Sequence, residues 1–226
     1  MSRQHGETTT MKTLYIFLTR SGTLLSNLVY RLTGAQYTHI SLAFDEDLST
    51  LYSSTRKNGY TMFPAGPSRE YLNRGVFLMR ENIPCALYAL EVTDEAYIRA
   101  KRRTQHMMHH GELYRFNSLG LLLCWMHIRW QRRRHYFCSQ FVSEVLQKSG
   151  ALDLPKPSTL MHPSDYAELP LPGHAGRPAP APEHGDGRGG ERHGPLPERP
   201  SGGCQGRRAA SVLIFEEIAE KIENTC

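Results

Sequence analysis

The chain has 226 residues, of which 39% are hydrophobic and 22% charged, with a formal net charge of +5 at pH 7. That length is enough for one sizeable core and an appendage. The absence of any apolar run near 18 residues excludes a membrane-spanning helix, and the mixed composition excludes a wholly disordered or collagen-like chain.

Residues 13–19 (TLYIFLT) form a β-like apolar run. Residues 23–32 place Leu24, Leu25, Leu28, Val29 and Leu32 on one face, which predicts a helix closed by Gly34. The alternating string YTHISLAF at 37–44 predicts a strand. Asp45-Glu46-Asp47 makes a turn, and 48–54 returns as the hairpin partner. Residues 59–69, punctuated by Gly and Pro, read as a loop. Strands are expected at 75–79 and 85–92. A helix capped by Asp94 is expected to run to about His110. Residues 118–131 are strongly apolar and read as a buried helix. Residues 137–149 read as a helix with Phe141, Val142, Val145 and Leu146 inward, ended by Gly150. This order gives an α+β domain over residues 11–170 with a mainly antiparallel sheet. Residues 171–210 are rich in Gly, Pro and Arg and read as a disordered linker. In 211–226, Ile214, Phe215, Ile218 and Ile222 oppose Glu216, Glu217, Glu220 and Glu223, the pattern of a short amphipathic helix.

The five cysteines, Cys85, Cys124, Cys138, Cys204 and Cys226, form no CxxC pair and no zinc spacing. Neither a disulfide framework nor a metal is expected. The N-terminal apolar stretch is too short for an export signal, which points to a reducing, cytoplasmic compartment.

Cys138 opens a helix in the string YFCSQFVSEVL. The partial positive charge at a helix N-terminus favours thiolate, the nucleophilic form of cysteine. The bland reading is a small buried apolar residue. His39 is its candidate partner, mid-strand, sharing a face with Tyr37 and Ser41. A Cys–His pair needs a third polar group to orient the ring. Folding the hairpin across residues 45–49 brings 52–54 opposite His39, and Ser53 is the expected third residue.

The histidine strand, the later "YRFN" and the cysteine helix together resemble the circularly permuted branch of the NlpC-type papain-like superfamily. That branch includes bacterial amidase-like proteins and lecithin:retinol acyltransferase-type enzymes. The resemblance covers about residues 14–169. It implies a papain-like fold, Cys138 as nucleophile and His39 as general base. It also places a third polar residue near Ser53, where the family often has His, Asn, Gln or Glu. It implies a thiol hydrolase or acyltransferase acting on a peptide, amide or lipid-ester substrate. Thiol chemistry of this kind needs no cofactor, and a monomer is expected. The alternative is a non-catalytic module on the same fold that holds an anionic partner.

Other features carry less chemistry. His106 and His110 are spaced i,i+4 without the glutamate of a HExxH motif. Arg99, Lys101, Arg102 and Arg103, and Arg129 with Arg132 to Arg134, lie near Trp125, Trp130 and Tyr136. Basic-plus-aromatic surfaces hold nucleic acid or anionic membrane, but no nucleic-acid-binding signature accompanies these, and a solvated charged face is the preferred reading.

Overall fold

In the computed structural model, the described residues are 10–20, 24–56, 65–74, 77, 83–171 and 174–175. The chain forms an α+β unit. Its elements are β1 (Met11–Thr19), α1 (Leu24–Thr33), β2 (His39–Ala43), β3 (Leu51–Arg56), β4 (Ala65–Glu70), β5 (Cys85–Thr93) and α2 (Asp94–His109). They are followed by β6 (Arg115–Phe116), α3 (Ser118–Trp125), β7 (His135–Tyr136), α4 (Cys138–Ser149), a 3-10 turn (Ser158–Leu160), α5 (Asp165–Glu168) and β8 (His174–Ala175).

Five principal strands and the two-residue β8 make one sheet in the order β4-β3-β2-β1-β5-β8, antiparallel at each pairing. β1 sits in the interior of this sheet and is buried on both faces from Leu14 onward, which is why it reads as a continuous apolar run. On one face, Leu14, Ile16, Leu18, Ile40, Leu42, Tyr88 and Leu90 join Phe141, Val142, Val145 and Leu146 of α4 in the main core. On the other, Tyr15, Phe17, Ala43, Leu48, Leu51 and Leu87 form a smaller cluster. Each large side chain so buried contributes about 1.5–3 kcal/mol.

α2 packs against α4, and the two are tied by Arg103 and Glu144 at 2.7 Å and by Arg99 Nε donating to the Ser149 carbonyl at 2.8 Å. The cap of α2 is Thr93, one residue before the expected Asp94; its hydroxyl accepts from the Ala96 N–H. Gly150 closes α4 in the left-handed conformation (φ 71°), as its composition predicts.

Two expectations are corrected. The 59–69 loop yields at its end to a strand, β4, paired along its length with β3. Pro67 is tolerated there because β4 is the edge of the sheet, where a missing N–H breaks no ladder bond on the outer side. The helix expected over 118–131 stops at Trp125 and is not buried. Of α3 only Gly120 and Cys124 are buried, and Leu119, Leu122 and Trp125 are exposed. The strand expected at 75–79 falls outside the described residues except for Phe77. The linker expected over 171–210 begins with a buried Leu171 and with β8, which pairs with β5, and its residues from 176 on, with the tail helix, lie outside the described residues.

Candidate active site

His39 opens β2, where it is the Cα partner of Thr19, the last residue of β1. It therefore sits at the rim of the sheet. Cys138 opens α4, and the chain leading to it is pinned from three sides. β6 and β7 pair in parallel, with Phe116 opposite Tyr136. The Tyr136 carbonyl accepts from the buried Ser54 hydroxyl at 2.6 Å and from the Asn117 N–H at 3.3 Å. Inside the first turn of α4, the Ser139 hydroxyl donates to the Met161 carbonyl at 2.6 Å, and Gln140 accepts from the Asn117 amide at 3.1 Å. These bonds fix the helix start without using the cysteine.

The two side chains meet. Cys138 is 8% exposed and lies close enough to His39 for the thiol to help raise the imidazole. The other side of the ring is held by Glu70: Nε2 is 3.1 Å and 3.0 Å from the two carboxylate oxygens. A carboxylate only accepts, so Nε2 carries the proton, and Nδ1 is the ring atom left for the thiol. The Ser41 hydroxyl donates to Glu70 Oε2 at 2.6 Å and steadies the carboxylate. The His39 and Glu70 side chains are only 16% and 14% exposed.

Burial alone would lower the imidazole. The Glu70 charge, hydrogen bonds with Cys138 and Glu70, and the Cys138 charge outweigh it and raise His39 to about 10. The ring is therefore an imidazolium at neutral pH.

Ser53 is not at this site. β3 pairs with Tyr52 opposite Leu42, not opposite His39, and the fully buried Ser53 hydroxyl donates to the Ile40 carbonyl at 2.7 Å. The ring is oriented instead by Glu70, which sequence reasoning missed. Strand alternation explains how it reaches. With Leu42 opposite Tyr52, Ser53 opposite Ser68 and Leu51 opposite Glu70, residues His39, Ser41, Ser53, Ser68 and Glu70 share one face. β2 and β4 lie about 9–10 Å apart with β3 between them.

A second Cys–His contact lies nearby. Cys124 Sγ is 3.6 Å from His162 Nε2. Burial first, then the Asp165 charge, pushes the Cys124 thiol up to about 12, and burial lowers His162. Both members are neutral, so this pair packs α3 against the 158–165 segment and offers no nucleophile. His106 and His110 stack on each other at 4.4 Å, and among the described residues no group of three or more His, Cys, Asp or Glu is placed to hold a metal. An open depression of about 680 Å³ lined by Lys12, Tyr15, Phe44, Glu46 and Tyr97 contains none of the site residues. No helix among the described residues is long and apolar enough to cross a membrane.

No family model matches the chain, and no match is found among curated proteins or solved structures.

Proposed function

We propose that the chain is a thiol hydrolase or acyltransferase of the permuted NlpC-type papain-like kind, with Cys138 as nucleophile, His39 as its proton partner and Glu70 as the residue that orients His39. The observation that carries this reading is the His39 imidazole held at Nε2 by the half-buried Glu70 carboxylate, close to Cys138 at the start of its helix. A cysteine that only filled core space would need no such ring beside it.

In this mechanism the Cys138 thiolate attacks the carbonyl carbon of an amide or ester, and the carbonyl π electrons move onto oxygen. The N-cap residue Phe137 has no side-chain acceptor, which leaves the first-turn N–H of Cys138 for that oxyanion. One such donor is worth on the order of 3 kcal/mol in the transition state. The tetrahedral intermediate collapses, the C–N or C–O bond breaks, and the leaving amine or alcohol takes the proton from the His39 imidazolium. The acyl group remains on sulfur. Neutral His39 then removes a proton from water or another acceptor, which attacks the thioester, and Cys138 leaves as thiolate. Glu70 stays ionised throughout and stabilises the imidazolium. The mechanism calls on no cofactor.

The test is a thiol-reactive acyl probe applied to the wild type, Cys138→Ala, His39→Ala and Glu70→Gln. Labelling at Cys138 in the wild type, abolished in the first two variants and weakened in the third, is the expected pattern. Equal labelling of wild type and His39→Ala overturns the assignment.

A further inference from the structure

α3 is a helix on the wrong side of the usual bargain. Its sequence, SLGLLLCW, has no charged residue, yet its apolar side chains face outward. Leu119, Leu122 and Met126 recur at i, i+3 and i+7, the spacing of one helix face, and are 52%, 47% and 51% exposed. Trp125 flanks that stripe, and Ile128, just beyond it, is exposed as well. Globular domains rarely leave so much contiguous apolar surface in water unless something covers it.

The end of the helix is built firmly enough to present this face. The His127 N–H donates to the Cys124 carbonyl and the Ile128 N–H to the Leu123 carbonyl, a Schellman closure with His127 in the left-handed region at φ 59°. The chain then runs directly into Arg129, Arg132, Arg133 and Arg134, all exposed. Among the described residues none of these four is in an ion pair. The basic residues of α2 differ: Arg99 and Arg103 pair with Glu95 and Glu144, and Lys101 lies over the Phe44 and Tyr97 rings.

We infer that α3 and the arginine segment after it form a docking surface for an anionic lipid bilayer. Leu119, Leu122, Trp125 and Met126 enter the headgroup–acyl boundary, and Arg129 with Arg132 to Arg134 meet the lipid phosphates. An apolar helix face beside unpaired cations, with tryptophans between the two, is the pattern of interfacial association. A nucleic acid would use the arginines but would gain nothing from Leu119, Leu122 and Met126, which offer phosphate no donor. The surface adjoins the start of the cysteine helix. Asn117, the N-cap of α3, bonds Gln140 two residues past Cys138, and Cys124 on the inner side of α3 is close enough to feel the Cys138 charge.

Trp125 and Trp130 are the two tryptophans of the chain, so intrinsic emission reports on this surface alone. The full-length protein is titrated with phosphatidylcholine vesicles and with vesicles of phosphatidylcholine and phosphatidylglycerol. Docking predicts a blue shift with the anionic vesicles, quenching by brominated acyl chains, and reversal at high salt. Leu122→Glu with Met126→Glu removes the shift. Arg132→Glu with Arg133→Glu and Arg134→Glu weakens binding by at least about a hundredfold, since each basic residue at an anionic surface is worth roughly fivefold and each reversal adds repulsion. The brominated-lipid measurement uses the wild type and so does not depend on a variant folding. Cys138→Ala must behave as wild type, which separates docking from catalysis. Emission unchanged by anionic vesicles at low salt overturns the proposal, as does vesicle binding without bromolipid quenching or binding untouched by the glutamate variant. Emission already blue-shifted before lipid and unaltered by it also overturns it, because another part of the chain then covers the face.

Discussion

A single carboxylate decides what His39 can do. Without Glu70, burial leaves the imidazole easier to deprotonate; with it, the group is raised to about 10. The alkaline limb of the acyl-probe reaction therefore belongs to loss of the His39 proton, and Glu70→Gln moves that limb to lower pH. The same substitution lowers the rate at neutral pH by about 10²-fold or more, because an amide holds the imidazolium less firmly than a carboxylate. A pH–rate profile of both proteins checks this, and superimposable profiles exclude Glu70 from the site. Ser53→Ala gives the opposite result. Reaction at Cys138 is retained, while stability falls by about 0.5–1.5 kcal/mol in urea unfolding as the Ile40 carbonyl loses its donor. The helix start at Cys138 and the strand carrying His39 were legible in the sequence, although His39 opens that strand rather than lying inside it. Glu70 was not legible. Nothing local marks an acid that acts two strands away, and the strand that carries Glu70 reads as loop because of its glycine and proline.

Among the elements, α2 and α4 carry period-3.6 patterns that their burial reproduces, while β1 and β2 are buried on both faces along most of their length. β4 and α3 break the rule that pattern reveals environment. β4 hides behind Pro67 and Gly66, residues that read as loop but sit on an edge strand. α3 is apolar on every side, and periodicity cannot tell a buried helix from one whose apolar face is turned outward. The inner side of α3 is nevertheless tightly fitted. Asn117 accepts from the Gly120 N–H at 3.0 Å while its amide donates to Gln140, and a Cβ on Gly120 would strike the Asn117 side chain. Gly120→Ala displaces that asparagine and loses both bonds, so a loss of about 1–3 kcal/mol is expected in urea unfolding. Because Gln140 lies in the first turn of the cysteine helix, the acyl-probe reaction falls along with it. An unchanged midpoint would mean that Asn117 holds neither helix.

Across the whole molecule, the protons held in the folded state set how stability follows pH. His39 is raised from 6.5 to about 10, so the folded chain keeps a proton that the unfolded chain gives up. The sign follows: this contribution is complete below about 6.5 and drains away as pH rises toward 10. One retained proton corresponds to a slope of about −1.4 kcal/mol per pH unit. Other groups bound the window in which it can be seen. His162 is lowered, so its contribution is lost only as pH falls below the ordinary histidine range. The buried thiols Cys85 and Cys124, and tyrosines such as Tyr37 and Tyr88, are raised. They oppose folding only where the free groups ionise, from about pH 8.5 upward for thiols and about 10 for tyrosine. Between about 6.5 and 8.5 the slope is thus assigned to His39. Measuring it in a Cys138→Ala background keeps the thiol from sharing the proton, and Glu70, the larger source of charge, remains. Urea unfolding of Cys138→Ala should lose stability across that interval, and Cys138→Ala with His39→Asn should not. Parallel curves would mean that the imidazolium is no more stable folded than free, and that Glu70 does not hold it.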